Sequence, residues 1–279
     1  MANVLVTGAS RGIGRITALH LARGGWEVVA GVRKEEDGKA LESEGDGRIR
    51  SVVLDITDDK QVDALGEVLP ERLDAVVNNA GIVVGGAVET VAVDDVRRQL
   101  EVNVVGQLAV TQKVLPRIRA AQGRIVFVSS VSGRISTPMT GIYSASKFAL
   151  EAMADALRLE LRPWHIPVVL VEPAQTDTDL WRAAMDILES EVARLSPEHR
   201  ALYAGHIEGQ RKSIPRSQKM ASPADGVATV VAHALATRRP KARYVVGAVP
   251  KAMASAVGLM PARLRDAVLA ASTGVPRRV

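Results

Sequence analysis

The chain has 279 residues, 47% of them hydrophobic and 24% charged, enough apolar material to close a large core without metals or staples. It contains no cysteine, which excludes disulfide frameworks, thiolate metal sites and cysteine nucleophiles together, and is ordinary for a reducing compartment such as the cytoplasm. Lysine plus arginine outnumber aspartate plus glutamate by 36 to 31, which raises a polyanionic partner; three Trp, three Tyr and two Phe are too few for the stacking platforms of single-strand binders, so no nucleic acid is expected. The opening residues show no signal-peptide pattern, and no run of about 18 apolar residues suggests a transmembrane segment.

Short, nearly continuous apolar runs are the predicted strands: Val4–Val6, Glu27–Ala30, Ser51–Leu54, Asp74–Val77, Arg124–Val128, Val168–Val171 and Tyr244–Val246. Such runs mark strands buried on both faces of a parallel sheet. Between them, Ile13–Arg23, Asp58–Leu69, Asp94–Ala120 and Tyr143–Arg162 are long enough for crossover helices. The expectation is one α/β domain over residues 1–279: a doubly wound parallel sheet of about seven strands with helices on both faces, the Rossmann arrangement. A polar stretch at 179–222 breaks the rhythm and is predicted to be a helical flap over the carboxyl edge of the sheet. Residues 248–279 form a basic extension with two short helices around Pro261.

Directly after the first run comes Thr7-Gly8-Ala9-Ser10-Arg11-Gly12-Ile13-Gly14, leading into a helix. Glycines at 8, 12 and 14 allow a tight turn and close backbone approach to a phosphate, and the helix N-terminus offers N–H groups to a pyrophosphate. The second run ends in Val32-Arg33-Lys34, with no carboxylate before Glu35. Cations there suit a ribose 2′-phosphate, so NADP(H) is favoured over NAD(H), with Arg11 as a second cation; the alternative is that Arg33 and Lys34 merely open a solvated helix. Asp55, followed by Ile56, either accepts from an adenine amino group or caps the next helix. Asn78-Asn79-Ala80-Gly81 either shapes the cofactor pocket or is a plain turn.

Tyr143 and Lys147 lie four residues apart on one helix face. A phenol ordinarily titrates near 10, and an adjacent ammonium lowers that value, so the pair suits proton transfer. Ser129 and Ser130 end the preceding strand, where a hydroxyl can donate to a substrate carbonyl, or where both, with Ser132, are turn formers. Asn103 is out of place inside a helix unless its amide is used.

Together these residues resemble the short-chain dehydrogenase/reductase family, from Val4 to Thr178 motif by motif and more loosely beyond. Thr7–Gly14 matches its TGxxxGxG loop, Asn78–Gly81 its NNAG and Tyr143–Lys147 its YxxxK, while Ser130, thirteen residues before Tyr143, matches its catalytic serine. The resemblance implies a tetrad. Tyr143 is general acid/base, Ser130 orients the oxygen, Lys147 lowers the tyrosine pKa and holds the nicotinamide ribose, and Asn103 holds a relay water. The implied cofactor contacts are Gly8, Ser10, Arg11, Gly12, Ile13, Gly14, Arg33, Asp55, Ile56, Asn79, Ala80, Gly81, Tyr143, Lys147, Pro173, Thr176 and Thr178. The family's PGxxxT appears as Pro173-Ala174-Gln175-Thr176-Asp177-Thr178, and alanine resists the positive φ a glycine allows.

Ser130, Met139, Tyr143, Leu180, Trp181 and Met185 are the expected substrate contacts, and their mostly aliphatic surroundings suggest a lipophilic alcohol or carbonyl. The flap and the tail around Gly258–Leu264 resemble the hydroxysteroid and retinol dehydrogenase-like branch. A homodimer or homotetramer is implied, and no metal is needed. The alternatives are a cofactor-binding regulator or scaffold on the same fold, or an NAD-dependent dehydrogenase of a smaller alcohol; an intact tetrad speaks for an enzyme. Nine of the 36 cations fall between Thr237 and Val279 against the single acid Asp266. The basic character therefore belongs to the tail, which reads as ordinary surface charge or as a face for an anionic membrane.

Overall fold

Alternation of side chains along buried strands decides the layers. In β1 (Asn3–Val6), Val4 and Val6 join one apolar cluster and Leu5 the opposite one. The computed structural model describes residues 1–247, 256 and 260–276. After β1 the chain runs through α1 (Gly12–Arg23), β2 (Glu27–Val32), α2 (Glu35–Glu44), β3 (Ile49–Val53), α3 (Asp59–Val68) and β4 (Ala75–Asn78). It continues with α4 (Val93–Leu100), a π-helical turn at Glu101–Val105, α5 (Gly106–Ala121), β5 (Arg124–Val128), α6 (Gly141–Glu160) and β6 (Val168–Glu172). Then come β7 (Thr176–Asp177), α7 (Asp179–Arg182), α8 (Ala184–Arg194), α9 (Pro197–Leu202), α10 (Ala204–Lys219), β8 (Ser222–Pro223), α11 (Asp225–Ala236), β9 (Arg243–Val245) and α12 (Ala262–Thr273).

Seven strands form one sheet in the order β3-β2-β1-β4-β5-β6-β9, all parallel. α1 and α11 cover one face, packing Leu19, Leu21, Val227 and Val231 on Val4, Val6, Val126 and Val128. α3, α5 and α6 cover the other, where Val110, Ile118 and Leu150 meet Leu5, Ile125 and Phe127. Phe127 is fully buried, a burial that contributes about 2–3 kcal/mol. The doubly wound reading is therefore what the chain adopts. Between β1 and β4 the winding reverses, which opens a crevice at the carboxyl ends of these strands.

The differences are local. The predicted helix Asp94–Ala120 is split by the π-helical turn. The small β7–β8 pair, Thr176 against Ser222, is too short to leave a pattern in sequence. The flap is helical, formed by α7 to α10, and packs on Ala87 and Met139, from the loops after β4 and β5, through Leu188, Val192, Ile207 and Ile214. Of the two predicted tail helices, α12 is present; the other lies largely outside the described residues, as do Lys251, Arg277 and Arg278 of the basic extension. Arg243 is no surface cation, since its guanidinium turns inward to Glu151 and Asp155. Among the described residues no helix is long and apolar enough to cross a membrane.

Candidate active site

The glycine loop and the β4 terminus are built as one body. Gly8 has φ +64°, and a β-carbon on it would lie 2.8 Å from Ala80 Cα; one on Gly14 would strike the Gly8 carbonyl and the Asn79 amide. That close approach is used: Asn79 Nδ2 donates to the carbonyls of Thr7 (3.0 Å) and Gly8 (3.2 Å), and the Thr7 hydroxyl accepts from the N–H groups of Asn79 (3.0 Å) and Ala80 (3.1 Å). α1 starts behind Arg11 in extended backbone with no side-chain cap, so its first N–H groups keep no side-chain acceptor. A shelf without side chains at the positive end of a helix fits a pyrophosphate. Thr178 approaches the shelf from the other side, its Cβ 3.5 Å from where a β-carbon of Gly12 would stand. Ser10 is half-buried, Ile13 leans on the core and Gly81 is exposed.

Arg11, Arg33 and Lys34 are exposed and, among the described residues, their side chains form no ion pair or hydrogen bond, whereas the nearby Glu35 is taken by Lys39 at 2.8 Å. α2 does begin at Glu35, directly after Arg33 and Lys34, as the solvated-helix alternative has it. Asp55 uses Oδ1 to accept from the N–H (3.0 Å) and hydroxyl (2.7 Å) of Thr57, while the cap of α3 is Asp58, not Asp55. The Ile56 side chain is buried in the core, which leaves only its backbone for a ligand. Pro173 is buried and its carbonyl accepts from Val131 N–H at 3.0 Å. Thr176 turns its hydroxyl to the Ala174 carbonyl at 3.0 Å. Ala174 does not adopt a positive φ, so the replacement of the family's glycine carries no backbone strain here. Thr178 instead caps α7, accepting from Trp181 N–H at 3.3 Å.

α6 presents Tyr143 and Lys147 on one face, with the Lys147 ammonium 5.9 Å from the centre of the tyrosine ring. Lys147 is buried and donates to the Val128 carbonyl at 3.0 Å. Burial pushes its pKa down to about 8, and the charge of Glu151 works against that. The Tyr143 phenol lies above its ordinary value because burial disfavours the phenolate, with the Ser130 hydroxyl pulling it down. The expected lowering of Tyr143 by Lys147 is not found in this arrangement; desolvation dominates, and the phenol is held protonated. Ser130 also accepts from Ser132 N–H at 3.1 Å, and Ser129 is buried with its hydroxyl unpartnered.

Asn103 sits fully buried in the π-helical turn, and it does not stand alone. Its Oδ1 accepts from Ile82 N–H at 2.9 Å and its Nδ2 donates to the Ile82 carbonyl and the Ser146 hydroxyl, both at 3.1 Å. Gln99 bonds Val84 N–H (2.7 Å) and the Ile82 carbonyl (2.9 Å), Gln107 donates to the Ala80 carbonyl (2.7 Å), and Asn78 donates to Thr111 (2.9 Å). Residues 99, 103 and 107 thus clamp the loop after β4, and Thr111 holds the last residue of β4 itself. Their polar, four-residue spacing along a helix facing the core was the signal that could have found them.

A cavity of about 630 Å³ is bordered by Met139, Gly141, Tyr203, His206, Leu269 and Val275 among others. Gly141 opens α6 two residues before Tyr143. Of the side chains expected at the substrate, Met139 lines this wall, in a left-handed backbone with φ +66° that is unusual for so large a residue. Met185 packs against the same apolar cluster as Met139. Leu180 is exposed on α7 and Trp181 is half-buried beside it, and neither these two nor Ser130 and Tyr143 border the cavity. α10 and α12 supply that wall in their place.

The model of the short chain dehydrogenase family matches residues 2–187. The chain is 34% identical over 278 residues to an NADPH-dependent 3-dehydrocapnine reductase of Ornithobacterium rhinotracheale, covering 96% of each. It is 34% identical over 286 residues to retinol dehydrogenase 5 of Mus musculus, covering 95% of this chain and 87% of that one. Among solved structures it resembles a short chain dehydrogenase/reductase of Burkholderia phymatum in complex with NAD, with a TM-score of 0.76, 25% identity and coverage of 91% and 92%. With a family match over two thirds of its length and a relative 34% identical across 96% of it, the chain belongs to the short-chain dehydrogenases and is a dehydrogenase/reductase.

Proposed function

We propose that the protein is a cytoplasmic, NADP(H)-dependent oxidoreductase that interconverts a lipophilic alcohol and its ketone or aldehyde, with Tyr143 as general acid/base. The observation that carries this reading is the Tyr143–Lys147 pair, a half-buried, protonated phenol with a buried ammonium 5.9 Å from its ring. A protonated phenol donates to a carbonyl oxygen as that oxygen gains charge; the ammonium, itself shielded from water, then stabilises the phenolate left behind. Ser130 is placed to donate to the same oxygen, and Asn103 fixes the spacing between the β4 loop and α6. When bound, NADP(H) would supply or accept the hydride. The Gly8–Gly14 shelf would hold its pyrophosphate, and Arg11, Arg33 and Lys34 its 2′-phosphate. The unpaired cations support NADP(H), as does the NADPH dependence of the reductase relative.

The lipophilic substrate is supported by the apolar wall of the large cavity and by the retinol dehydrogenase among the relatives. One catalytic domain spans 1–279, with 179–222 as the substrate flap and 248–279 as a basic extension. We also infer a homodimer or homotetramer through the outer faces of α5, with the π-helical turn before it, and α6, where Val105, Phe148 and Leu159 are exposed. The test is Tyr143→Phe assayed with NADPH against aliphatic, retinoid and steroid carbonyls. Turnover should fall by about 100-fold or more, with NADPH binding by fluorescence retained. Unchanged turnover overturns the reading.

A further inference from the structure

The face of α6 that carries Tyr143 and Lys147 continues at the same four-residue interval with Glu151 and Asp155. Glu151 is buried, and behind it lies Glu172, the last residue of β6, fully buried. Nothing in the tyrosine and lysine chemistry uses either carboxylate.

Their partners are unevenly shared. Arg243, reaching in from β9, donates from Nε to Glu151 Oε2 at 3.0 Å and from Nη2 to Asp155 at 2.6 Å, and Arg158 also holds Asp155 at 2.7 Å. The same Nε lies 3.4 Å from Glu172 Oε1 without making a hydrogen bond, and Arg134, from the turn after β5, touches Glu172 Oε2 only at 3.5 Å. Glu172 Oε1, Glu151 Oε1 and the Ser129 hydroxyl are all buried without partners. Ser129 and Glu151 meet across Gly133, where a β-carbon would stand 3.0 Å from the hydroxyl and 2.9 Å from Glu151 Cγ. Two carboxylates around one guanidinium nitrogen, the second without a good donor, cannot both ionise cheaply.

We propose that Glu151 and Glu172 hold one proton between them up to the approach of neutral pH, with Glu172 the neutral member, and that the charge so left on Glu151 is the buried counter-ion that keeps Lys147 an ammonium. Glu151 is thus a positioning residue acting through Lys147, and Glu172 is the acid that lets a lone carboxylate stay there. This assignment rests on Lys147 serving Tyr143 as described above. The charged groups facing the pair are Lys147 and Asp155 from α6, Arg134 from the turn after β5 and Arg243 from β9. Burial and the neighbouring Glu151 push Glu172 up to about 7, in keeping with a neutral acid, and Glu151 is the one charge that raises Lys147.

The experiment is a carbon-13 NMR titration of glutamate carboxyl and lysine ε-carbons in the cofactor-free full chain. In the wild type one glutamate carboxyl should titrate close to neutrality, and this signal should vanish in Glu172→Gln. Glu151→Gln should lower the Lys147 midpoint by roughly one pH unit and move the alkaline limb of kcat down with it, at little change in KM. Glu172→Gln, a mimic of the neutral acid, should leave the Lys147 midpoint and kcat at pH 7 in place. A wild type in which no glutamate titrates above pH 6, or a Lys147 midpoint unmoved by Glu151→Gln, overturns the proposal; the wild-type titration needs no variant to fold. Activity surviving Tyr143→Phe would refute the catalytic reading while leaving both midpoints untouched, so the two failures are distinguishable.

Discussion

Asn103 donates its side-chain amide to the hydroxyl of Ser146 at 3.1 Å, which ties the π-helical turn to the helix carrying Tyr143 and Lys147. The same side chain satisfies both backbone groups of Ile82, so one residue spaces the β4 loop against α6. Asn103→Ala would strand the Ile82 N–H, at a cost of about 1–3 kcal/mol. Thermal unfolding should show a lowered Tm and steady-state assays a lowered kcat. A variant that keeps both would remove Asn103 from the site.

Gly14→Ala should destroy the cofactor shelf, because its β-carbon collides with the Gly8 carbonyl and the Asn79 amide, neither of which can move without breaking the Thr7–Asn79 bonds. Calorimetric titration with NADPH is expected to show no saturable binding. Circular dichroism should still report the α/β fold, since the sheet core lies away from the loop.

In the proposed reading, cofactor choice is set by the cations that follow β2. Arg33→Ala should weaken NADPH by about 10-fold or more, the scale of a lost charge-assisted contact to phosphate, and leave NADH nearly unchanged. Arg11→Ala should do the same to a smaller degree. Equal wild-type affinity for the two cofactors contradicts the assignment.

Lys147, held at about 8, is an ammonium below that pH and neutral above it. Carbonyl reduction should therefore decline as pH rises through about 8. Stability moves the other way: between about 8 and the ordinary lysine value of 10.5 the unfolded chain binds a proton that the folded chain has released, so the Lys147 contribution makes folding more favourable as pH rises. The Tm difference between wild type and Lys147→Met should shift in favour of the wild type across that window. A constant difference would mean that the folded-state pKa of Lys147 is not depressed.

Phe148→Asp places a charge on the outer face of α6, next to no described partner and away from the inward face of Tyr143 and Lys147. Light scattering should show a smaller species than the wild type. An unchanged mass would place the subunit contact elsewhere.

The sheet and the cofactor end were legible because their signals are local. Val4–Val6, Val126–Val128 and Val168–Val171 announce buried strands by themselves, and the glycines at 8, 12 and 14 follow the first of them directly. What stayed hidden depends on distant neighbours. Arg243 reads as one more tail cation until β9 pairs with β6 and swings it onto Glu151, 92 positions away. Likewise, Tyr203, Leu269 and Val275 become a cavity wall only when α10 and α12 pack beside Met139. The π-helical turn has no composition of its own; only the polar interval Gln99, Asn103, Gln107, Thr111 hinted that this helix clamps a loop.

The Thr7–Asn79 lock has a consequence for biosynthesis. The shelf is assembled from segments 72 positions apart, so it cannot exist on a nascent chain until β4 has emerged and docked beside β1. Nucleotide affinity then reports completion of the central sheet, and a cell rich in cofactor favours molecules that have passed that step, because a ligand bound only by the finished form draws the folding equilibrium toward it.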